Sequence, residues 1–179
     1  MDKNPARAMI AALMTPFLLV AACNDSNPSI EITDRGDEDV LAEFDPATTA
    51  VEVRFRDSSV PPEYHRSWEM EMDAETIALT VDSYGDVVAT NSVAMSAEEW
   101  TEFLSDLPAD LERWGQPEAD EHSCAGGTGM SITVHDGEES AELVLDNCFD
   151  DQRAISRELV AAVGPFAELV DIEGHRAVD

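Results

Sequence analysis

The spacing of the hydrophobic residues, which switches between two periods, is the feature that most limits the fold. From residue 51 to residue 93, four runs place an apolar residue at every second position, the period of a half-buried strand. Residues 96–114 change to the 3.6-residue period of a helix, two more alternating runs follow within 130–145, and a second helical pattern begins near residue 150. The order ββββ-α-ββ-α predicts an α+β domain: an antiparallel sheet of about six strands with two helices packed on one face.

The alternating runs also predict which strand residues face the core. These are Val51, Val53, Phe55, Trp68, Met70, Met72, Ile77, Leu79, Val81, Met130, Ile132, Val134, Ala141, Leu143 and Leu145.

Each helical segment carries its own start and stop signals. Ser96 and Glu99 have the spacing of a capping box at the start of the first helix, whose apolar stripe begins at Trp100. Pro108 is expected to stop or kink that helix. The second helix is expected to end at Gly164-Pro165. Its predicted buried side is Ile155, Leu159, Val160 and Val163.

Two cysteines flank the last predicted hairpin. A two-residue turn at Asp136-Gly137 makes paired residue numbers sum to about 273, so Cys124 and Cys148 lie within one residue of facing each other. In an oxidising compartment this pair is predicted to form a disulfide. A metal site that uses His122 and Cys124 is the alternative, but the other histidines are scattered, so no metal site is predicted.

The N-terminus resembles a bacterial lipoprotein signal peptide. Lys3 and Arg7 precede an apolar run that ends in Val20-Ala21-Ala22-Cys23, the pattern of a lipobox. The resemblance implies cleavage before Cys23, acylation of its thiol and a lipid-anchored, extracytoplasmic location in the cell envelope, at the outer membrane (facing the periplasm or the surface) in a Gram-negative cell. A plain secretory signal or an N-terminal membrane anchor is the alternative. The run is short for a membrane span, which needs about 20 apolar residues.

Charge and composition complete the predicted organisation of the chain. It carries 39 acidic residues against 10 basic ones, a net charge of −29, which excludes nucleic acid as a partner. The same acidity is typical either of a solvated surface suited to salt or of a cation-binding protein. The predicted parts are a signal peptide at 1–22, an acidic flexible tether at 23–47, a single α+β domain at 48–171 and a C-terminal tail at 172–179.

One loop stands out as a candidate for binding a protein partner. Pro61 and Pro62 stiffen the chain just before Tyr64, His65 and Arg66, and tyrosine and arginine are common in binding hot spots. A structural connection between strands is the alternative for this loop. No catalytic set has the context of a known nucleophile or acid–base pair, so neither an enzyme nor a cofactor is predicted.

The layout of residues 51–170 is similar to that of the emfourins, protein inhibitors of thermolysin-like metalloproteases. The similarity lies in a strand with an Arg54-Phe55 pair, a middle helix, a glycine-rich step and a final hairpin plus helix. It implies a protease inhibitor as one possible function. The sequence as a whole favours a lipid-anchored, non-catalytic binding module of the envelope, with inhibition of an extracytoplasmic protease and cation binding as alternatives.

Overall fold

The computed structural model describes residues 31–32, 44–115 and 126–177 and has the predicted α+β architecture. The strands are β1 (Glu31–Ile32), β2 (Thr49–Arg56), β3 (Ser67–Met72), β4 (Thr76–Ser83), β5 (Asp86–Ala94), β6 (Gly129–Asp136) and β7 (Glu139–Asp146). The helices are α1 (Ala97–Trp114), α2 (Asp150–Leu169) and α3 (Ile172–Arg176). The predicted order ββββ-α-ββ-α is confirmed for β2 to α2, and the structure adds β1 and α3 at the two ends.

All strands form one antiparallel sheet in the order β1-β7-β6-β2-β3-β4-β5. Val53, at its centre, is paired with Met70 on one side and Ile132 on the other. Each of these three side chains is fully buried, as the alternating pattern predicted. The opposite face of the sheet carries mainly polar and charged side chains, so the core lies on one side only.

The apolar stripe of α1 covers that core face. Trp100, Leu104, Leu107, Leu111 and Trp114 are all buried, and Ser96 caps the helix by accepting a hydrogen bond from the amide of Glu99 at 3.4 Å. The helix continues past Pro108, because Leu111 and Trp114, which follow the proline, are still buried. That burial outweighs a cost of about 3 kcal/mol for a proline inside a helix.

Helix α2 differs from its prediction in length and in orientation. It runs through Gly164-Pro165 to Leu169 and buries Phe166 beyond the predicted stop. Glycine suits the position before a proline because it has no Cβ to clash with the proline ring. The buried side consists of Gln152, Ser156, Leu159, Val163 and Phe166, whereas the predicted Val160 is 48% exposed.

The β6–β7 hairpin has a different register from the predicted one. Asp136 pairs with Glu139 and His135 with Ser140, so the turn residues are Gly137 and Glu138. Gly137 has a φ of 62° and occupies the first turn position, where a type II′ turn places its glycine. Paired numbers therefore sum to 275 instead of 273.

The fold extends beyond both predicted domain boundaries. Phe44, placed by prediction in the tether, is buried at 8% exposure, and the indole of Trp100 donates to the carbonyl of Pro46 at 3.0 Å. Glu31–Ile32, also within the predicted tether, pairs with β7. At the other end Ile172 is buried in α3, inside the predicted tail. The apolar residues at these positions were too widely spaced to show a period.

No helix among the described residues is long and apolar enough to cross a membrane.

Candidate functional site

The predicted binding loop is held firmly by bonds within the domain. His65 is 5% exposed, stacks on Tyr84 with ring centroids 3.9 Å apart, and accepts from the Tyr84 amide at 3.3 Å. Arg66 donates to the carbonyls of His65 and Pro62 at 2.6 and 3.4 Å. The Tyr84 hydroxyl donates to the carbonyl of Val60 at 2.6 Å.

These contacts give different roles to the three residues predicted to bind a partner. The His65 side chain holds the loop against the β4–β5 turn at Tyr84. The Arg66 side chain is bonded to two carbonyls of the loop itself. Tyr64 remains 60% exposed and is the one side chain of the three that is free to meet a partner. The contacts therefore favour the structural interpretation of the loop for His65 and Arg66.

Three carboxylates meet on the open face of the sheet. Glu52, Glu69 and Glu71 place oxygen atoms within 4.8 Å of one another, close enough to share a cation. Arg54 already lies among them, with its Nε 2.7 Å from oxygens of both Glu52 and Glu69. Burial raises the pKa of Glu52, Arg54 lowers it, and the neighbouring Glu69 and Glu71 raise it further, so the net direction is upward. The group is a surface ion-pair network around one arginine.

A cavity of about 410 Å³ lies between one end of the sheet and the helices α2 and α3. Its deepest walls are buried apolar side chains: Trp68 from β3, Met130 from β6, Val163 from α2 and Ile172 from α3. Its size falls within the range of about 300–1,000 Å³ that is typical of small-molecule sites. This pocket is formed by tertiary packing, since its walls come from five separate elements: β2 (through Phe55), β3, β6, α2 and α3.

Three buried polar atoms without a hydrogen-bond partner belong to residues that line this same pocket. They are Asn147 Oδ1, Ser156 Oγ and Arg176 Nε, and they are all such side-chain atoms found in the described part of the chain. Ser156 is 4% exposed, and the rest of the Asn147 amide is used, because Nδ2 donates to Thr128 Oγ1 at 3.1 Å. Leaving a buried polar group unpaired costs about 1–3 kcal/mol, so native folds rarely keep one without a reason.

Three arginines surround the polar atoms at the pocket wall. Arg153 is bound by Asp150 at 3.1 Å and itself donates to the carbonyl of Asn147 at 3.0 Å. Arg157 donates through Nε to the carbonyl of Arg153 at 3.2 Å, and no carboxylate in residues 44–115 or 126–177 pairs with it. Arg176 lies 4.7 Å over the ring of Phe55, with a distant ion pair of 3.8 Å to Glu173.

Little in the linear pattern of residues indicated this pocket. Gln152 and Ser156 continue the buried stripe of α2 at four-residue spacing. Two polar residues on an otherwise apolar helix face could have indicated a polar site there. Arg176 was assigned to the tail, and Asn147 to a turn. Nothing in the linear pattern places these residues beside Trp68.

The remaining predicted site residues lie at or beyond the limits of the described residues. Cys148 is disulfide-bonded, but Cys124 and Cys23 lie outside the described residues, so the Cys124–Cys148 pairing and the acylation of Cys23 stay predictions. The corrected hairpin register leaves Cys124 and Cys148 three residues from facing positions instead of one, and therefore the pairing depends on the chain before β6.

Comparison with known proteins adds no family to these observations. No model of a protein family matches the chain, and no curated protein matches it either.

Proposed function

We propose that this protein is a non-catalytic binding module, anchored in the bacterial cell envelope through a lipid on Cys23, whose ligand is a small molecule with an apolar body. The binding site is the pocket between the sheet and helices α2 and α3. The observation that carries the proposal is that the three unpartnered buried polar atoms all belong to residues that line one largely apolar cavity. A few oriented polar groups on apolar walls are typical of ligand sites.

The chemistry of the lining favours binding over catalysis. A nucleophilic serine needs a base within hydrogen-bond distance of its hydroxyl. Ser156 Oγ has no hydrogen-bond partner among the described residues. The lining otherwise combines arginines, carboxylates and apolar side chains, without a histidine or a cysteine. Such groups can position a ligand but do not assemble an activated nucleophile.

Titration with 1-decanol, a neutral molecule with a ten-carbon chain, tests the site itself. Binding to the purified protein is measured by isothermal titration calorimetry and by the fluorescence of Trp68, which lies in the pocket wall. We expect saturable binding that weakens at least tenfold in Ala167→Leu, because the added side chain fills part of the cavity.

The matched control is Ala154→Leu, the same substitution at an exposed position of α2 that does not line the pocket. It is expected to bind decanol as the unchanged protein does. Absence of saturable binding by the unchanged protein, or equal weakening in both variants, would contradict the assignment of the site.

A further inference from the structure

We infer that the ligand of this pocket is a straight-chain carboxylate, such as a fatty acid, whose head group is bound by Arg157 and Arg176. The inference rests on the proposed function, since it specifies the class of molecule that the same pocket takes. It follows from the hydrogen-bonding capacity that the pocket leaves unused.

Two of the three unused groups can donate a hydrogen bond. Arg176 Nε is buried and can only donate, and Ser156 Oγ can donate as well as accept. A carboxylate carries two acceptor oxygens and can accept from both groups at once. Asn147 Oδ1 is the one unpartnered acceptor, and a bound water beside the head group can donate to it.

Two of the acidic residues around the pocket have contacts of their own. Three acidic residues, Glu168, Asp171 and Glu173, lie among the lining residues together with the three arginines. Asp171 is already engaged as the cap of α3, where its carboxylate accepts from the amide of Gly174 at 3.1 Å. Glu173 is 91% exposed, which directs it towards solvent, and it stands 3.8 Å from Arg176.

Arg157 supplies a positive charge at the wall of the pocket. No carboxylate among the described residues pairs with it, although the chain as a whole carries a net charge of −29. A negative surface also repels anions in general, so an anion held by this protein needs a local cationic group such as this one.

The walls of the pocket fit the rest of such a molecule. Trp68, Met130, Val163 and Ile172 offer apolar surface to a hydrocarbon chain, and each methylene removed from water contributes about 0.8 kcal/mol. Arg157 on α2 and Arg176 on α3 then fix the orientation, with the head group at these arginines and the chain along the apolar walls.

A series of ligands with one chain length and three head groups tests the inference. Decanoate, 1-decanol and decyltrimethylammonium are titrated into the protein at low ionic strength, below the concentrations at which they aggregate. We expect decanoate to bind about ten times more tightly than decanol, the factor for one charge-assisted hydrogen bond. The cation is expected to bind most weakly, and added salt is expected to reduce the preference for decanoate.

Substitutions of arginine test which residues cause the preference for decanoate over decanol. Arg157→Gln, an exposed position that is safe for folding, is expected to reduce the ratio of decanoate to decanol affinity severalfold, and Arg157→Gln with Arg176→Gln to bring it near one. Arg113→Gln removes the same charge from α1, outside the pocket, and is expected to leave the ratio unchanged. Urea unfolding of each variant checks that it is folded.

The outcomes separate the two proposals. Equal affinity for decanoate and decanol, or a preference for the cation, overturns the carboxylate inference and leaves the binding site in place. A preference for decanoate that survives Arg157→Gln and the double substitution also overturns it. Failure of all three compounds to bind overturns the proposed function itself.

Discussion

Ser156→Ala is expected to stabilise the protein, although the substitution removes atoms from a buried position. The Ser156 hydroxyl is buried without a hydrogen-bond partner among the described residues, a condition that costs about 1–3 kcal/mol. Alanine also has a higher helix propensity than serine, by about 0.5 kcal/mol. The lost oxygen only widens a cavity that is already present, which limits the packing penalty. We expect a net gain of about 1–2 kcal/mol in the free energy of unfolding.

Urea unfolding at 25 °C, followed by tryptophan fluorescence, measures this gain. The midpoint should rise while the slope of the transition stays constant, and the melting temperature should rise by about 3–8 °C. Ser105→Ala is the matched control, because Ser105 is an exposed residue within α1 whose hydroxyl donates to the carbonyl of Glu102 at 2.8 Å. It reports helix propensity without the buried hydroxyl.

The reasoning is refuted if Ser156→Ala lowers stability or changes it by no more than Ser105→Ala does. The hydroxyl would then have a good partner in solution, and the pocket would lose one of the three groups that support a ligand.

Three further predictions concern other parts of the molecule. The pKa of Glu52 is raised, so the folded protein holds the proton more tightly than the unfolded chain does. Ionised Glu52 therefore lowers the stability at neutral pH, and this cost disappears as the pH falls through that pKa. Glu52→Gln is therefore expected to stabilise the protein at pH 7 and less so at pH 4, as measured by urea unfolding. Tyr84→Phe removes the hydroxyl bond to the carbonyl of Val60, just before the 61–66 loop, and should cost about 1 kcal/mol in the same assay. Mass spectrometry of protein isolated from the producing cell should find Cys124 linked to Cys148, and Cys23 acylated at the new N-terminus.

Each of these predictions has a result that contradicts it. Glu112→Gln, at an exposed helix position, controls for the loss of one charge, and an equal response from both glutamates would remove the argument about burial. Tyr64→Phe controls for loss of a phenol at an exposed site and should have almost no effect. Free thiols at both hairpin cysteines, or an unmodified Cys23, would rule out the predicted cysteine chemistry.

The fold was predictable because its signals are local. Alternation of Val51, Val53 and Phe55 fixes which face of a strand is buried, and the stripe that starts at Trp100 does the same for α1. The predicted hairpin register was wrong because a glycine such as Gly137 is allowed at either turn position, and the residue types alone do not fix its φ. The buried side of α2 was predicted partly wrongly because it includes a polar residue, Ser156, which the search for apolar positions left out.

The candidate site was not predictable for a different reason. Its walls come from β2, β3, β6, α2 and α3. Its polar atoms become notable only when their burial and their lack of partners are known. Residue types such as serine and arginine carry no such information in a linear sequence. The loop at 61–66 attracted attention because its residue types are suggestive, yet the structure uses most of them internally.

The short pairing of β1 with β7 changes how far an anchored domain would stand from its membrane. With Glu31 opposite Glu142, only the seven residues 24–30 separate Cys23 from the sheet, and the eight steps along the chain from Cys23 to Glu31 reach at most about 28 Å. The predicted tether of 25 residues would reach roughly three times as far. Because β1 is antiparallel to β7, the chain enters β1 from the direction of Asn147, the end of the sheet at which the pocket lies. An acyl group on Cys23 would thus hold the pocket close to the bilayer, which is itself a source of fatty carboxylates.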